Sequence, residues 1–81
     1  FNIEDTETEE EIKKIVENYP DVKKVGRILS LKFENILKID IDCSFDKELS
    51  IEKVHDLTSE IEHVIRLKIK NSVITIHPEP N

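Results

Sequence analysis

Leu37-Lys38-Ile39-Asp40-Ile41-Asp42-Cys43-Ser44-Phe45 is the stretch from which the fold can be read. Apolar and polar residues alternate along it without a break, which is the period-two pattern of a strand with one face in a core and the other in water. The wet face is acidic, carrying Asp40 and Asp42. Cys43 falls on the apolar face and reads as a small core hydrophobe.

On the N-terminal side, Val22 to Phe33 is also strand-like, with Val25, Ile28, Leu29, Leu31 and Phe33 among polar residues. Gly26 interrupts it and marks a bulge or kink. Glu34-Asn35 then makes a two-residue turn, so the two strands form an antiparallel hairpin. Before them, Thr6 with Glu9, or Thr8 with Glu11, has the spacing of a capping box. Ile12, Ile15, Val16 and Tyr19 follow as one helical stripe, ended by Pro20.

On the C-terminal side, Asp46 to Leu49 reads as a loop and Ser50 as the N-cap of a second helix running to about Lys68. Ile51, Val54, Leu57, Thr58, Ile61, Val64 and Ile65 make its buried stripe. His55 lies on the flank of that stripe, whereas His63 lies away from it and reads as a solvated residue. Asn71-Ser72 turns the chain into a final strand, Val73 to Ile76, with Ile74 and Ile76 inward. Pro78 and Pro80 are expected to stop further pairing.

The order is helix, strand, strand, helix, strand. The second and third strands are joined through a helix, so they should be parallel with a right-handed crossover. The simplest solution is an α+β sandwich of the truncated ferredoxin type. Its mixed three-stranded sheet carries both helices on one face, with the hairpin's second strand in the middle. The 81 residues make one domain, with residues 1–5 as a linker.

Composition excludes several classes of function. Net charge is −6, and there is no basic stripe with interleaved aromatics, which disfavours nucleic acid. One cysteine rules out an internal disulfide. No apolar run approaches the roughly 18–20 residues that span a bilayer, and no signal peptide is visible. A start at Phe1 rather than Met is expected of a fragment or processed product. No nucleophile stands beside a base, and there is no Gly-rich phosphate loop, so neither an enzyme nor a small-molecule substrate is expected. A domain this small often gains stability from a metal or from self-association.

The topology brings separated donors toward one edge. Parallel strands point Asp42 and His77 to the same carboxyl end, and parity puts Asp40, Asp42, Thr75, His77 and Glu79 on the face away from the core. His55, near the start of the second helix, overlooks that edge. Asp42, His55, His77 and Glu79 are therefore expected to cluster. Two imidazoles and two carboxylates can complete a tetrahedral zinc site, or half of a two-metal site. The competing reading is a weak surface ion pair between His55 and a carboxylate.

These residues also carry a resemblance. Ile12-Lys13-Lys14-Ile15-Val16 leads to Tyr19-Pro20-Asp21-Val22, similar to a helix that ends in a P-x-V turn. Ser50-Ile51-Glu52-Lys53-Val54-His55-Asp56-Leu57-Thr58-Ser59-Glu60-Ile61-Glu62 resembles an A-H-x-I-x-x-x-I-E helix. Val73-Ile74-Thr75-Ile76-His77-Pro78-Glu79-Pro80 is similar to a V-x-I-H-x-E/D-P close. In order and spacing, over residues 6–80, the chain resembles the cytosolic C-terminal domain of cation diffusion facilitators, the zinc, iron and manganese efflux transporters.

The resemblance implies a cytoplasmic domain of an integral membrane protein, attached to a transmembrane transporter domain, that homodimerises and binds metal. It implies His55 as the helix ligand, His77 and Glu79 as the last strand's pair, and Asp42 where some members place a histidine. At Gly26, where some members carry a further histidine, this chain has no donor, which allows a weaker or single site. Zn2+ is the first expectation, with Mn2+, Fe2+, Cd2+ and Co2+ compatible with a carboxylate-rich set. Two rival expectations are a metal-independent structural dimerisation module and a free-standing metal carrier. The lack of a Cys-x-x-Cys pair argues against the carrier.

Overall fold

The computed structural model describes residues 3–4 and 6–80. In chain order its elements are β1 (Ile3–Glu4), α1 (Thr6–Glu17), β2 (Val22–Phe33), β3 (Ile36–Phe45), α2 (Ile51–Lys68) and β4 (Ser72–Pro80). They form one sheet in the order β1-β2-β3-β4. β2 and β3 pair antiparallel, and β3 and β4 pair parallel through the α2 crossover. The expected helix–strand–strand–helix–strand sandwich is present, with a two-residue edge strand added. That strand lies within the expected linker, where residues 1, 2 and 5 fall outside the described residues.

The alternation of β3 translates directly into burial. Ile39, Ile41, Cys43 and Phe45 are at most 2% exposed, while the residues between them reach solvent. Ile74 and Ile76 extend this face onto β4, Ile12 and Val16 of α1 pack on it, and so do Leu57, Ile61 and Ile65 of α2. Both helices thus cover one face and leave the other bare. A fully buried isoleucine is worth about 1.5–3 kcal/mol relative to an exposed one, so this layer carries the stability. Thr58 is tolerated in it because its hydroxyl donates to the His55 carbonyl at 3.0 Å.

Local signals largely act as expected. Ser50 Oγ accepts from Lys53 N at 3.0 Å and caps α2. Glu34 and Asn71, in the two turns, take left-handed backbone with φ of 57°; Asn tolerates this readily and Glu less so. The register of β2 against β3 shifts between Val25 and Ile28, which is the bulge that Gly26 marks.

Three expectations are corrected. Ile51, counted in the buried stripe, is 90% exposed, because the first residue of α2 borders an open cleft with Phe45 and Pro78 instead of packing into the core. Glu9, one of two candidates for the capping box, turns to the sheet instead. Its Oε2 accepts from Ser30 N at 2.9 Å and Ser30 Oγ at 3.0 Å. β1 pairs only with Leu31 and Lys32, so the carboxylate takes up the neighbouring N–H on the free edge of β2.

Finally, the prolines do not end pairing: β4 continues to Pro80, opposite Phe45. β4 is an edge strand, and in a parallel pair only alternate residues bond the neighbour. Pro78 and Pro80 share the parity whose amide would face outward, where no N–H is needed.

Candidate metal centre

On the bare face, the parallel register sets Asp40 beside Thr75, Asp42 beside His77 and Ser44 beside Glu79. A cleft there is lined by Arg27, Leu29, Asp40, Asp42 and His77. The β2 bulge shapes its near wall. Val25 pairs with Cys43 and Ile28 with Ile41, so Gly26 and Arg27 together oppose the single residue Asp42.

The closest polar contact in the cleft joins two strands. His77 Nε2 donates to Asp40 Oδ1 at 3.3 Å, the carboxylate being able only to accept. Lys38 Nζ donates to the other oxygen of Asp40 at 3.0 Å. The Lys38 hydrogen bond holds the Asp40 carboxyl below the usual carboxylate value; partial burial opposes it, and the smaller contribution from His77 acts with Lys38. Both partners remain in contact with water, with side chains 53% and 30% exposed for His77 and Asp40.

Of the residues expected to form the site, the structure brings Asp42 and His77 side by side. Glu79 is two residues further along β4 and lines a different cleft, with Phe45, Leu49, Ile51, Val54 and Pro78 at the carboxyl edge of the sheet. His55 is exposed on α2, one residue past Val54 of that second cleft. The four donors therefore do not share one cleft. Among the described residues, no group of three or more His, Cys, Asp or Glu side chains is arranged to hold a metal ion. Convergence of all four on one chain is not observed. The reason is layering: α2 packs on the face opposite to the one from which Asp42 and His77 project, so His55 starts from the wrong side of the sheet.

What the outer face does offer fits part of a coordination sphere. Two zinc–ligand bonds of about 2.0–2.1 Å at a tetrahedral angle separate the donors by roughly 3.3–3.4 Å. The His77 nitrogen and Asp40 oxygen stand 3.3 Å apart. Asp40 was placed on this face by strand parity but left out of the expected ligand set. Its diagonal approach to His77 depends on inter-strand register, for which the sequence carries no signal. Arg27 was missed for a similar reason: alternation puts it on the face of Leu29, but its place opposite Asp42 comes from the register of β2 on β3.

A sequence profile described as "Cation efflux protein, cytoplasmic domain" matches residues 5–81. The chain belongs to this family. It is thus the cytoplasmic domain of a cation efflux protein. No curated protein matches it. Among solved structures, it is similar to the metal-bound C-terminal domain of the CzcD transporter from Thermotoga maritima. The TM-score is 0.86 at 24% identity, covering 93% of this chain and 88% of that one. The MamB C-terminal domain, a magnetosome protein of Desulfamplus magnetovallimortis, matches with a TM-score of 0.86 at 16% identity, over 93% and 94% of the two chains. The cytosolic domain of a cation diffusion facilitator family protein matches at 0.82 and 24% identity, over 93% and 90%. At these identities the likeness is one of fold. No helix in the described residues of this cation-efflux domain is long and apolar enough to cross a membrane.

Proposed function

We propose that this domain binds zinc or a similar divalent cation on its bare sheet face and homodimerises there, so regulating efflux by the transmembrane transporter to which it is attached. The observation that carries this reading is the pairing of His77 with Asp40, beside Asp42, on a sheet face that no helix covers. One chain offers part of a tetrahedral sphere, and a second copy is the simplest source of the rest. His77 and Asp42 are the inner ligands in this reading, and the geometry adds Asp40 beside them. Glu79 and His55, from the adjoining edge, complete it within or between copies.

Two further observations support it. Phe33, Ile36 and Val73 line one cleft at the hairpin end of the sheet, and all three are about half exposed. They give a second copy apolar surface to cover. The solved Thermotoga maritima domain of the same fold is described as metal-bound. Metal binding would displace protons from His55 and His77 and offset repulsion among the carboxylates. It would favour the closed dimer only to the extent that it binds that state more tightly.

The rival reading, a structural module that dimerises without metal, is favoured by the absence of any three-donor group among the described residues of one chain. Calorimetric zinc titration of the chelator-treated domain, with sedimentation in parallel, separates the two. Saturable binding that tightens the dimer and releases protons supports the sensor. An unchanged dimer without binding at micromolar zinc leaves the structural module.

A further inference from the structure

We infer that Arg27 is a built-in competitor for the metal, a fixed positive charge on the cleft wall that holds the site's affinity for divalent cations below what its donors alone would give. This rests on the metal reading above and deepens it.

The register of β2 is what puts the charge there: pairing runs without a shift from Phe33 opposite Ile36 to Ile28 opposite Ile41, and the next residue, Arg27, meets Asp42. An unbroken antiparallel pairing would set one residue of β2 opposite Asp42, and the register shift sets two. The extra residue is Gly26, and Arg27 keeps the face of Leu29, two residues further on. Gly26 lies close against Asp42: a Cβ on it would stand 3.4 Å from both Asp42 Cβ and the backbone Asp42 O, and without one that space stays unfilled. Glycine leaves Asp42 open, and Arg27 joins Asp40, Asp42 and His77 around the cleft.

The two basic residues nearest the cleft have different tasks. Lys38 is engaged, its ammonium bonded to both oxygens of Asp40. The Arg27 guanidinium makes no ion pair or hydrogen bond among the described residues, although it shares a cleft with two carboxylates. A guanidinium used for structure would be bonded to one of them in the bidentate manner that suits it. Arg27 instead contributes its charge to the local field without being consumed by a partner. For the empty cleft that charge offsets the Asp40–Asp42 repulsion. For a divalent cation it is a standing penalty.

In a solvated cleft, repulsion between a divalent ion and one nearby charge amounts to roughly a three- to tenfold loss of affinity at low salt. The loss shrinks once the Debye length falls below the separation, to ~3 Å at 1 M salt. The consequence for a sensor is a raised threshold: the cleft stays free until the cation is abundant.

The test is zinc titration by calorimetry on the chelator-treated domain, comparing wild type, Arg27→Gln, Arg27→Lys and His77→Ala at low and high salt. Arg27→Gln should bind zinc three- to tenfold more tightly at low salt, with the gap closing at high salt. Arg27→Lys, which keeps the charge and alters the shape, should stay with wild type. Equal affinity in Arg27→Gln and wild type, with His77→Ala weakened, would overturn the competitor role and leave the metal reading standing. Zinc binding that is absent throughout, or insensitive to His77→Ala, would overturn both. Sedimentation without metal closes the remaining route. If Arg27→Gln tightens the metal-free dimer by the same factor, the effect belongs to association and the inference fails.

Discussion

The two faces of β3 are built from neighbouring residues of the same nine-residue alternation, yet they have opposite characters. Toward the helices, Ile39, Ile41, Cys43 and Phe45 are sealed and contribute apolar burial. Away from them, Asp40 and Asp42 stand half-exposed with His77, in a cleft held together by hydrogen bonds to solvated groups. A charge-bearing surface costs little stability when water can still reach it, and a core tolerates little change in volume. Stability and binding can therefore be altered separately in one strand.

The sharpest way to break that separation is to attack the buried face. Ile41→Ala or Ile61→Ala, at wholly buried positions, should lose about 2–5 kcal/mol of unfolding free energy in urea. Zinc affinity of the remaining folded fraction should be unchanged. A change in affinity at constant fold would show that the two faces are coupled. The reverse experiment is His77→Ala, which should lower zinc affinity by at least about tenfold while unfolding free energy stays within roughly 0.5 kcal/mol of wild type. A large loss of stability there would place His77 in the scaffold rather than the site.

Intermediate in size is the link between α1 and β2. Glu9→Ala removes the acceptor for two donors of Ser30, a residue that is wholly buried. The cost should be about 1–3 kcal/mol, and Glu9→Gln, which keeps one oxygen, should lose less.

Acid and base should then tell the faces apart by sign. Burial pushes the Cys43 thiol from its ordinary value near 9 up to about 11. Over that window the unfolded chain loses a proton that the folded chain keeps, so stability falls as pH rises from 9 toward 11. At neutral pH the thiol should resist alkylation until the protein unfolds. Asp40 behaves oppositely, since its folded carboxyl is held below the ordinary value, mainly by Lys38. Its contribution is present above the unfolded value and is lost as pH falls through the lower, folded one. The loss should be small, because water screens the group, and Lys38→Ala should move the Asp40 titration, followed by NMR, back toward the ordinary carboxylate value. The smallest effect is expected for Pro78→Ala, within roughly 0.5 kcal/mol, because the restored N–H would point outward from an edge strand.

Much of this was legible in the residues alone. The alternation of β3, the stripes of α1 and α2, the Ser50 cap and the Gly26 bulge are all local patterns. The parallel pairing of β3 with β4 followed from the length of the connection between them. That pairing was enough to put Asp42 and His77 side by side. The extension of β4 through Pro78 and Pro80 was not legible, because proline's harm depends on whether a neighbouring strand lies on that side. Ile51 was misread for a related reason. Its spacing fits the stripe, but as the first residue of α2 it borders an open cleft, which spacing alone does not reveal.

By itself the sequence determined which residues share a face, because backbone geometry repeats every two residues in a strand and every 3.6 in a helix. It also limited the topology, because a short connection and a helical one permit different pairings. Only the tertiary structure decided which of those residues meet. Asp40 reaches His77 across a strand boundary, Arg27 is brought to the same cleft by the register of β2 on β3, and His55 is kept on the other layer by the packing of α2. Such meetings are set by register and layering, which arise from the packing of distant segments and leave no periodic trace in the chain.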